Sequence, residues 1–263
     1  MRNGKTISTT AAATVSFLCL GLLWWATTAL HLVDPLILPT PPKVAAAMMQ
    51  LLTPEGLLRD FGYTLLRVTA ALTISIVLGV PVGLWLGWQR GLYRFIEGPI
   101  HAMRSVPAAA LFPLFLIVIG VGERSIIVLA AYNSIMVVLI NTIAGALLAN
   151  QRRVQQARTL GVNGWRLITE VLFWEALPHI LSGIRIATGY GLALIIAVEM
   201  FIGVSNLGLG RKIYDYQAAY RIPETYAAIL LTGALGLTLN GLLTLVERRF
   251  LRWLPMTNQS EES

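Results

Sequence analysis

The residues of this chain that could do chemistry are few and widely separated. The three histidines, His31, His101 and His179, do not form a His-Glu-x-x-His pair, so the sequence predicts no protease-type zinc site. Ser75 and Ser134 lie in apolar runs that contain no histidine to activate them as nucleophiles. No Gly-x-x-x-x-Gly-Lys-[Ser/Thr] sequence occurs, so no phosphate-binding loop for ATP is predicted. The chain is therefore expected not to be an enzyme and to bind no metal or other cofactor.

Glu199 is an acidic residue placed well inside an apolar run, in the stretch Ala197-Val198-Glu199-Met200. A charged group near the centre of a membrane helix costs at least about 2.5–3.5 kcal/mol, so this carboxylate must face protein or water. It is interpreted either as a pathway or gate residue, or as a structural acid that pairs with an arginine or caps a re-entrant turn. Arg104 and Asn141 are further pathway candidates, although an asparagine in a membrane more often joins two helices by a hydrogen bond.

The composition indicates that membrane helices carry these residues. Of 263 residues, 56% are apolar and only 13% are charged, and the mean hydropathy is +0.69. A soluble domain usually has about 25% charged residues, so an ordinary cytosolic globular protein is excluded. The bases behind the net charge of +7 lie between apolar runs and not on one polar face, which argues against nucleic acid as a partner. The single cysteine, Cys19, cannot form an internal disulfide.

Six apolar runs predict an all-α polytopic membrane protein. A hydrocarbon layer about 30 Å thick requires about 20 apolar residues in each helix. Five runs meet this length: Ala11–Leu30, Thr64–Trp88, Ile126–Leu148, Ile184–Val204 and Tyr226–Val246. A sixth, Ala108–Gly120, is shorter, and it is expected to begin near His101–Arg104 and to be broken or kinked at Pro107 and Pro113. About six transmembrane helices are therefore predicted, with five as the alternative.

The distribution of Lys and Arg predicts the orientation. In membrane proteins, Lys and Arg are more frequent in cytosolic segments than in outer ones. If the N-terminus of this chain is cytosolic, most of its Lys and Arg residues lie in cytosolic segments, so both termini are expected to be cytoplasmic. Residues 1–60 are interpreted as a retained transmembrane helix, not a signal peptide, followed by an outer amphipathic segment. The transmembrane core is expected at 61–246, with a cytosolic loop at 150–182, and a basic cytosolic tail at 247–263.

Small residues recur at helical spacing inside two of the predicted spans. Gly79, Gly83 and Gly87 are four residues apart and therefore share one helix face, and Gly183 and Gly191 share a face of the fifth span. Small residues let membrane helices approach closely. The first set is interpreted as a packing face, with a seam between two copies of the chain as the alternative.

The loop at 150–182 is unlike a passive linker. Val154–Leu160 has helical character, Gly161 follows as a helix stop, and Trp165–Leu172 resumes helical spacing before a second break at Leu177-Pro178. A helix–glycine–helix element on the cytosolic face is interpreted as a contact site through which another subunit can exert force on the membrane helices. The alternative is an interfacial amphipathic loop without a partner.

This loop resembles a signature of the permease subunits of ATP-binding-cassette (ABC) importers, specifically their nitrate/sulfonate/taurine branch. The signature reads Glu-Ala-Ala, three residues, Gly, nine residues and Ile-x-Leu-Pro; here Gln155-Gln156-Ala157, Gly161 and Val171 occupy its register. Gln155 replaces the usual Glu, and Phe173-Trp174 stands where Leu-Pro is usual, which leaves Pro178 as the remaining helix break. Further matches are Leu38-Pro39-Thr40-Pro41, Arg104-Ser105-Val106-Pro107, Phe112-Pro113-Leu114, Ala197-Val198-Glu199-Met200, Gly208-Leu209-Gly210 and Glu247-Arg248-Arg249-Phe250-Leu251-Arg252-Trp253.

The resemblance implies a type-1 permease in the inner membrane of a bacterial cell. Two copies, expected to be identical, would form the pore within membrane lipid, and ABC ATPase subunits carrying ATP and Mg would dock on the loop. A periplasmic or lipid-anchored binding protein would deliver a small anion or organic sulfonate, such as nitrate, bicarbonate, taurine or an alkanesulfonate. The residues implied in ATPase coupling are Gln155, Ala157, Arg158, Gly161, Trp165, Val171 and Pro178. A stand-alone channel or an ion-coupled secondary carrier is the alternative.

Overall fold

The fold comes from a computed structural model that describes residues 9–53, 56–201 and 206–251, and every element in these ranges is helical. The helices are α1 (Thr9–Ala29), α2 (Pro41–Leu51), α3 (Leu57–Trp88), α4 (Arg90–Ser105), α5 (Phe112–Ile119), α6 (Glu123–Leu147), α7 (Gln151–Thr159), α8 (Gly164–Leu167), α9 (Phe173–Glu199), α10 (Leu209–Ala218) and α11 (Ile222–Phe250). A 3₁₀ turn (Ala108–Leu111) precedes α5, and a π-helical segment (Ile168–Leu172) joins α8 to α9. The predicted end of the fifth span at Val204 and most of the predicted basic tail, from residue 252 onward, lie outside the described residues.

Several of these helices are long and apolar enough to cross a membrane. In the described part of the chain they are α3, α6, α11 and the continuous run Gly164–Glu199. α4 and α5 form a further candidate, a pair bent by 80°. The bend confirms the break predicted at Pro107, whereas Pro113 lies in the first turn of α5, where proline is tolerated. The first predicted span, Ala11–Leu30, corresponds to the apolar helix α1.

The expected domain boundaries fall inside helices. The boundary between residues 60 and 61 lies in the first turn of α3, and the one between 246 and 247 lies in the last part of α11. α2 occupies the expected outer amphipathic segment, and its Val44 and Ala47 pack against Ala227 of α11. The segment before α3 is therefore attached to the helical core.

α6 lies between α3 and α9 and forms the centre of the bundle. Gly83 of α3 faces it so closely that a Cβ atom there would lie 2.7 Å from Cβ of Thr142, and a Cβ on Gly87 would overlap the side chain of Ala146. A Cβ on Gly79 would lie 3.2 Å from Val138. This face is filled by α6 of the same chain, so it is not available as a seam between two copies.

The opposite side of α6 receives α9 in the same way. A Cβ on Gly183 would lie 2.6 Å from Cβ of Asn141, and one on Gly191 would lie 3.1 Å from the hydroxyl of Ser134. Since apolar burial gives membrane helices little reason to associate, this close approach is what holds α3, α6 and α9 together.

Pro178 does not interrupt α9, contrary to the break predicted at Leu177-Pro178. A proline inside a helix removes one N–H donor, and its ring crowds the preceding turn. The irregularity lies earlier, in the π-helical segment, where Ile168 and Leu172 are buried and fix the backbone. The loop therefore leads into a long helix without a break.

Candidate functional site

The loop site, defined as α7, the turn at Gly161 and α8, has a closed and specific backbone geometry. The N–H of Gly161 donates to the carbonyl of Arg158, and the N–H of Val162 donates to the carbonyl of Ala157, both at 3.0 Å. These two bonds form a Schellman motif, which needs a left-handed residue, and Gly161 has a φ of +83°. The helix–glycine–helix element predicted from the sequence is present, and α8 starts at Gly164.

Three contacts hold α7 against the end of the bundle. Val154 is buried, the guanidinium of Arg158 lies 4.9 Å from the ring centre of Trp88 in α3, and Arg153 forms a 2.6 Å ion pair with Glu175 in α9. α7 is therefore attached to both α3 and α9.

The tip of the loop site presents large apolar side chains that the described chain leaves uncovered. Leu160 is 83% exposed and Trp165 is 63% exposed. Gln155 and Arg158 are exposed on the preceding helix. An ordered turn that displays a leucine and a tryptophan next to an arginine has the composition of a protein-docking surface.

The other residues predicted for coupling lie farther from the tip. Ala157 is half-buried within α7, and Val171 lines a shallow cavity of about 400 Å³ at the base of the loop, together with Trp174 and Glu175. Pro178 is half-buried within α9. Of the residues predicted for coupling, Gln155, Arg158, Gly161 and Trp165 are exposed, whereas Ala157, Val171 and Pro178 are half-buried.

Glu199, at the other end of α9, belongs to the ionic cluster, defined as Asp60, Thr64, Arg67, Glu199 and the backbone of Gly208–Gly210. Glu199 is completely buried. Its carboxylate accepts hydrogen bonds from Nη1 of Arg67 at 2.5 Å, the hydroxyl of Thr64 at 3.0 Å and the N–H of Gly210 at 2.9 Å. Arg67 also pairs with the half-exposed Glu123. This geometry supports the structural interpretation of Glu199, while a gating role stays a prediction.

The ionic cluster also fixes the start of α10. Asp60 accepts a 2.8 Å hydrogen bond from the N–H of Gly208, which has a φ of +120°. A Cβ on Gly208 would lie 2.5 Å from the carboxyl carbon of Glu199 and 2.6 Å from Nη1 of Arg67, so this position requires glycine. α3, α9 and α10 are therefore joined at one buried point.

The other two predicted pathway residues come together elsewhere. Arg104 and Asn141 line the polar cavity, defined as a cavity of about 380 Å³ between α4, α6 and α9 that Asn133 and Tyr190 also line. Glu199 is not among its lining residues. The three pathway candidates therefore occupy two sites: Glu199 lies in the buried ionic cluster, and Arg104 and Asn141 line the polar cavity.

Sequence reasoning missed the role of Arg67. Its two carboxylate partners, Glu123 and Glu199, are 56 and 132 positions away, distances over which a single sequence carries no pairing signal. One local signal was present, because Arg67 falls inside the predicted span Thr64–Trp88 and a charge there needs a partner.

Comparisons with known proteins agree with this architecture. The family model described as "binding-protein-dependent transport system inner membrane component" matches residues 79–252. The chain is 30% identical over 191 residues to the taurine transport system permease protein TauC of Escherichia coli strain K12, covering 71% of this chain and 70% of that protein. It is also 30% identical over 242 residues to the riboflavin transport system permease protein RibX of Chloroflexus aurantiacus, covering 91% and 88%.

Among solved structures, a chain of the inward-facing MetNI methionine ABC transporter is similar in fold. The TM-score is 0.62 at 20% sequence identity, and the match covers 76% of this chain and 96% of that chain. The matched region of the family model contains the loop site, the polar cavity and Glu199, whereas Arg67 lies before it.

Proposed function

The chain belongs to the binding-protein-dependent transport system inner membrane components, the permeases of type-1 ABC importers, and from this premise we propose how it works. It forms a translocation pathway for a small anion or organic sulfonate, and a separate ATPase drives transport through the loop site. Two copies enclose the pathway, and a binding protein outside the membrane delivers the solute.

The observation that carries the coupling role is the exposed tip of the loop site on a firmly attached helix. Leu160 and Trp165 offer apolar area to a partner, while the contacts to Trp88 and Glu175 connect α7 to two helices of the core. Closure of two ATPase subunits on ATP would move the two loops together and open the pathway outward. Hydrolysis would return it to the inward-facing state by rocking packed helices against each other.

The solute class is supported by the arginine and asparagines of the polar cavity, not by identity to relatives. The chain is equally identical, at 30%, to proteins named for taurine and for riboflavin. A cavity of about 380 Å³ lies near the lower end of the usual size for small-molecule sites, and a cation on its wall favours a small anion. The outer bases Arg124, Arg211, Lys212 and Arg221 would raise the local anion concentration at the mouth or contact an acidic binding protein.

The substitution Gly161→Asp tests the coupling role. An aspartate at a φ of +83° strains the turn and puts a carboxylate on the apolar tip, so we expect the ATPase to be lost from the purified complex by tenfold or more. The measurement is ATP hydrolysis in the eluate when the tagged chain is purified from its native membrane.

Gln151→Asp is the matched control, because it adds the same charge at the start of α7, where the helix dipole favours it. This control should retain the ATPase and unfold at the wild-type temperature. Gly161→Asp should unfold only slightly below it, because the strain is confined to an exposed turn. ATPase recovery at the wild-type level with Gly161→Asp would contradict the coupling role.

A further inference from the structure

We propose that the polar cavity is a binding site for a small oxyanion inside the membrane, with Arg104 as the charge that holds it and the polar face of α4 as its aqueous approach. This inference rests on the proposed function, because it assigns the proposed solute class to particular side chains.

Depth in the membrane is the first argument. Tyr132 donates a hydrogen bond to the carbonyl of Met103, so the last turn of α4 lies beside the first half of α6. Asn133 is about 15 Å along α6 from Glu123, at a rise of about 1.5 Å per residue, and so lies near the middle of this spanning helix. Arg104 shares a cavity with Asn133, which places its charge well below the membrane surface.

In the described part of the chain, no acidic side chain pairs with Arg104. Arg67 is buried and pairs with two carboxylates, whereas Arg104 is exposed and has no described acidic side chain within 4 Å. An arginine that faced lipid at this depth would be costly, so its surroundings must be polar. Water and a transported anion supply such surroundings.

One face of α4 offers an aqueous approach to the cavity. The ionisable residues of α4 recur at spacings of four, three, four and three, which places them on one helix face. They are Arg90, Arg94, Glu97, His101 and Arg104; Glu97 is half-buried and the other four are exposed. A neighbouring face of α4 is apolar, with Ile100 packed against Leu139 and Ile143 of α6. A continuous polar face therefore leads from the loop end of the bundle to the cavity.

The chemistry of the cavity selects the ligand. A guanidinium offers two parallel N–H donors, which match the oxygen pairs of nitrate, bicarbonate and sulfonate groups. The amides of Asn133 and Asn141 and the hydroxyl of Tyr190 are additional potential donors. Ile186 lines the apolar side and leaves room for the short alkyl chain of an organic sulfonate.

The test measures access and charge preference without transport. In a Cys19→Ser chain, Ile186→Cys is treated with methanethiosulfonate reagents that carry either a sulfonate or a trimethylammonium group, in nanodiscs of the purified complex. We expect the sulfonate reagent to react about tenfold faster, because a nearby cation concentrates anions. Arg104→Gln should remove this preference, while Arg124→Gln, at the far end of α6, should keep it. Nitrate and taurine should slow the reaction only when Arg104 is present.

Two controls keep the result interpretable. Leu237→Cys, 64% exposed on the apolar helix α11, is expected to lie against lipid and therefore to react with neither charged reagent. Val137→Cys, on α6, repeats the measurement if Ile186→Cys does not fold. No reaction at either cavity position, or an unchanged charge preference in Arg104→Gln, would overturn the oxyanion site. Because ATPase recovery is measured separately, a failed coupling role would leave this result standing, and the reverse also holds.

Discussion

The two ends of α9 are built in opposite ways. At the ionic cluster, Glu199 is completely buried, and its carboxylate is held by donors from α3 and α10. At the loop site, Leu160 and Trp165 are largely exposed, and α7 is attached to the core mainly through side chains. One helix of 27 residues, about 40 Å long, connects the two.

This difference suits a membrane helix that is fixed to its neighbours at one end and receives a force at the other. The closed end fixes the relative positions of α3, α9 and α10, because a buried charge network is stable only in one arrangement. The open end exposes apolar side chains that another subunit could cover. A force at the open end would therefore pivot α9 about the closed end.

Arg67→Met should have the largest effect on stability. It leaves the carboxylate of Glu199 buried without its cation, which should lower the free energy of unfolding by about 3–5 kcal/mol. The measurement is SDS-induced unfolding in mixed micelles. Arg59→Met, an exposed arginine in the same helix, is the control and should cost less than about 0.5 kcal/mol. Equal stabilities for the two variants would show that the ionic cluster does not fix this end of α9.

Gly87→Ala should have an intermediate effect. The added methyl overlaps Ala146 of α6 and forces α3 and α6 apart, which should cost about 1–3 kcal/mol in the same unfolding assay. Gly62→Ala is matched to it, because Gly62 lies in the same helix with no described atom within 4 Å of an added Cβ. That control should be neutral or stabilising by up to about 1 kcal/mol. A neutral Gly87→Ala would mean that the packing of α3 on α6 is looser than described.

Trp165→Ala should have the smallest effect on stability and a clear effect on coupling. Because Trp165 is 63% exposed, its removal should change the free energy of unfolding by less than about 0.5 kcal/mol. Recovery of the ATPase should nevertheless fall several-fold. Trp25→Ala, 55% exposed on α1, should leave both quantities unchanged. A large loss of stability with normal ATPase recovery would assign Trp165 to the fold and not to docking.

The parts of this structure that sequence predicted are those set by local chemistry. The predicted spans follow from runs of apolar residues, and the helix stop at Gly161 follows from its ability to adopt positive φ. The break between α4 and α5 is likewise encoded by Pro107. These features depend on residues within a few positions of each other.

The parts that sequence did not predict depend on distant contacts. The pair of Arg67 and Glu199 joins α3 to the end of α9, and nothing in the spacing of a single chain marks them as partners. Pro178 is a breaker by type, yet α9 continues through it. In the same way, Arg104 and Asn141 belong to different predicted spans, and only the fold places them in one cavity.

The central claim is that nucleotide-driven motion in another subunit opens this pathway through the loop site. Vesicles that contain this chain alone, and vesicles that contain the complex purified with its ATPase and binding protein, can be compared for uptake of nitrate, bicarbonate and taurine. We expect uptake above that of empty vesicles only in the complex and only with ATP. Uptake at the full rate by the chain alone, without nucleotide, would contradict the claim.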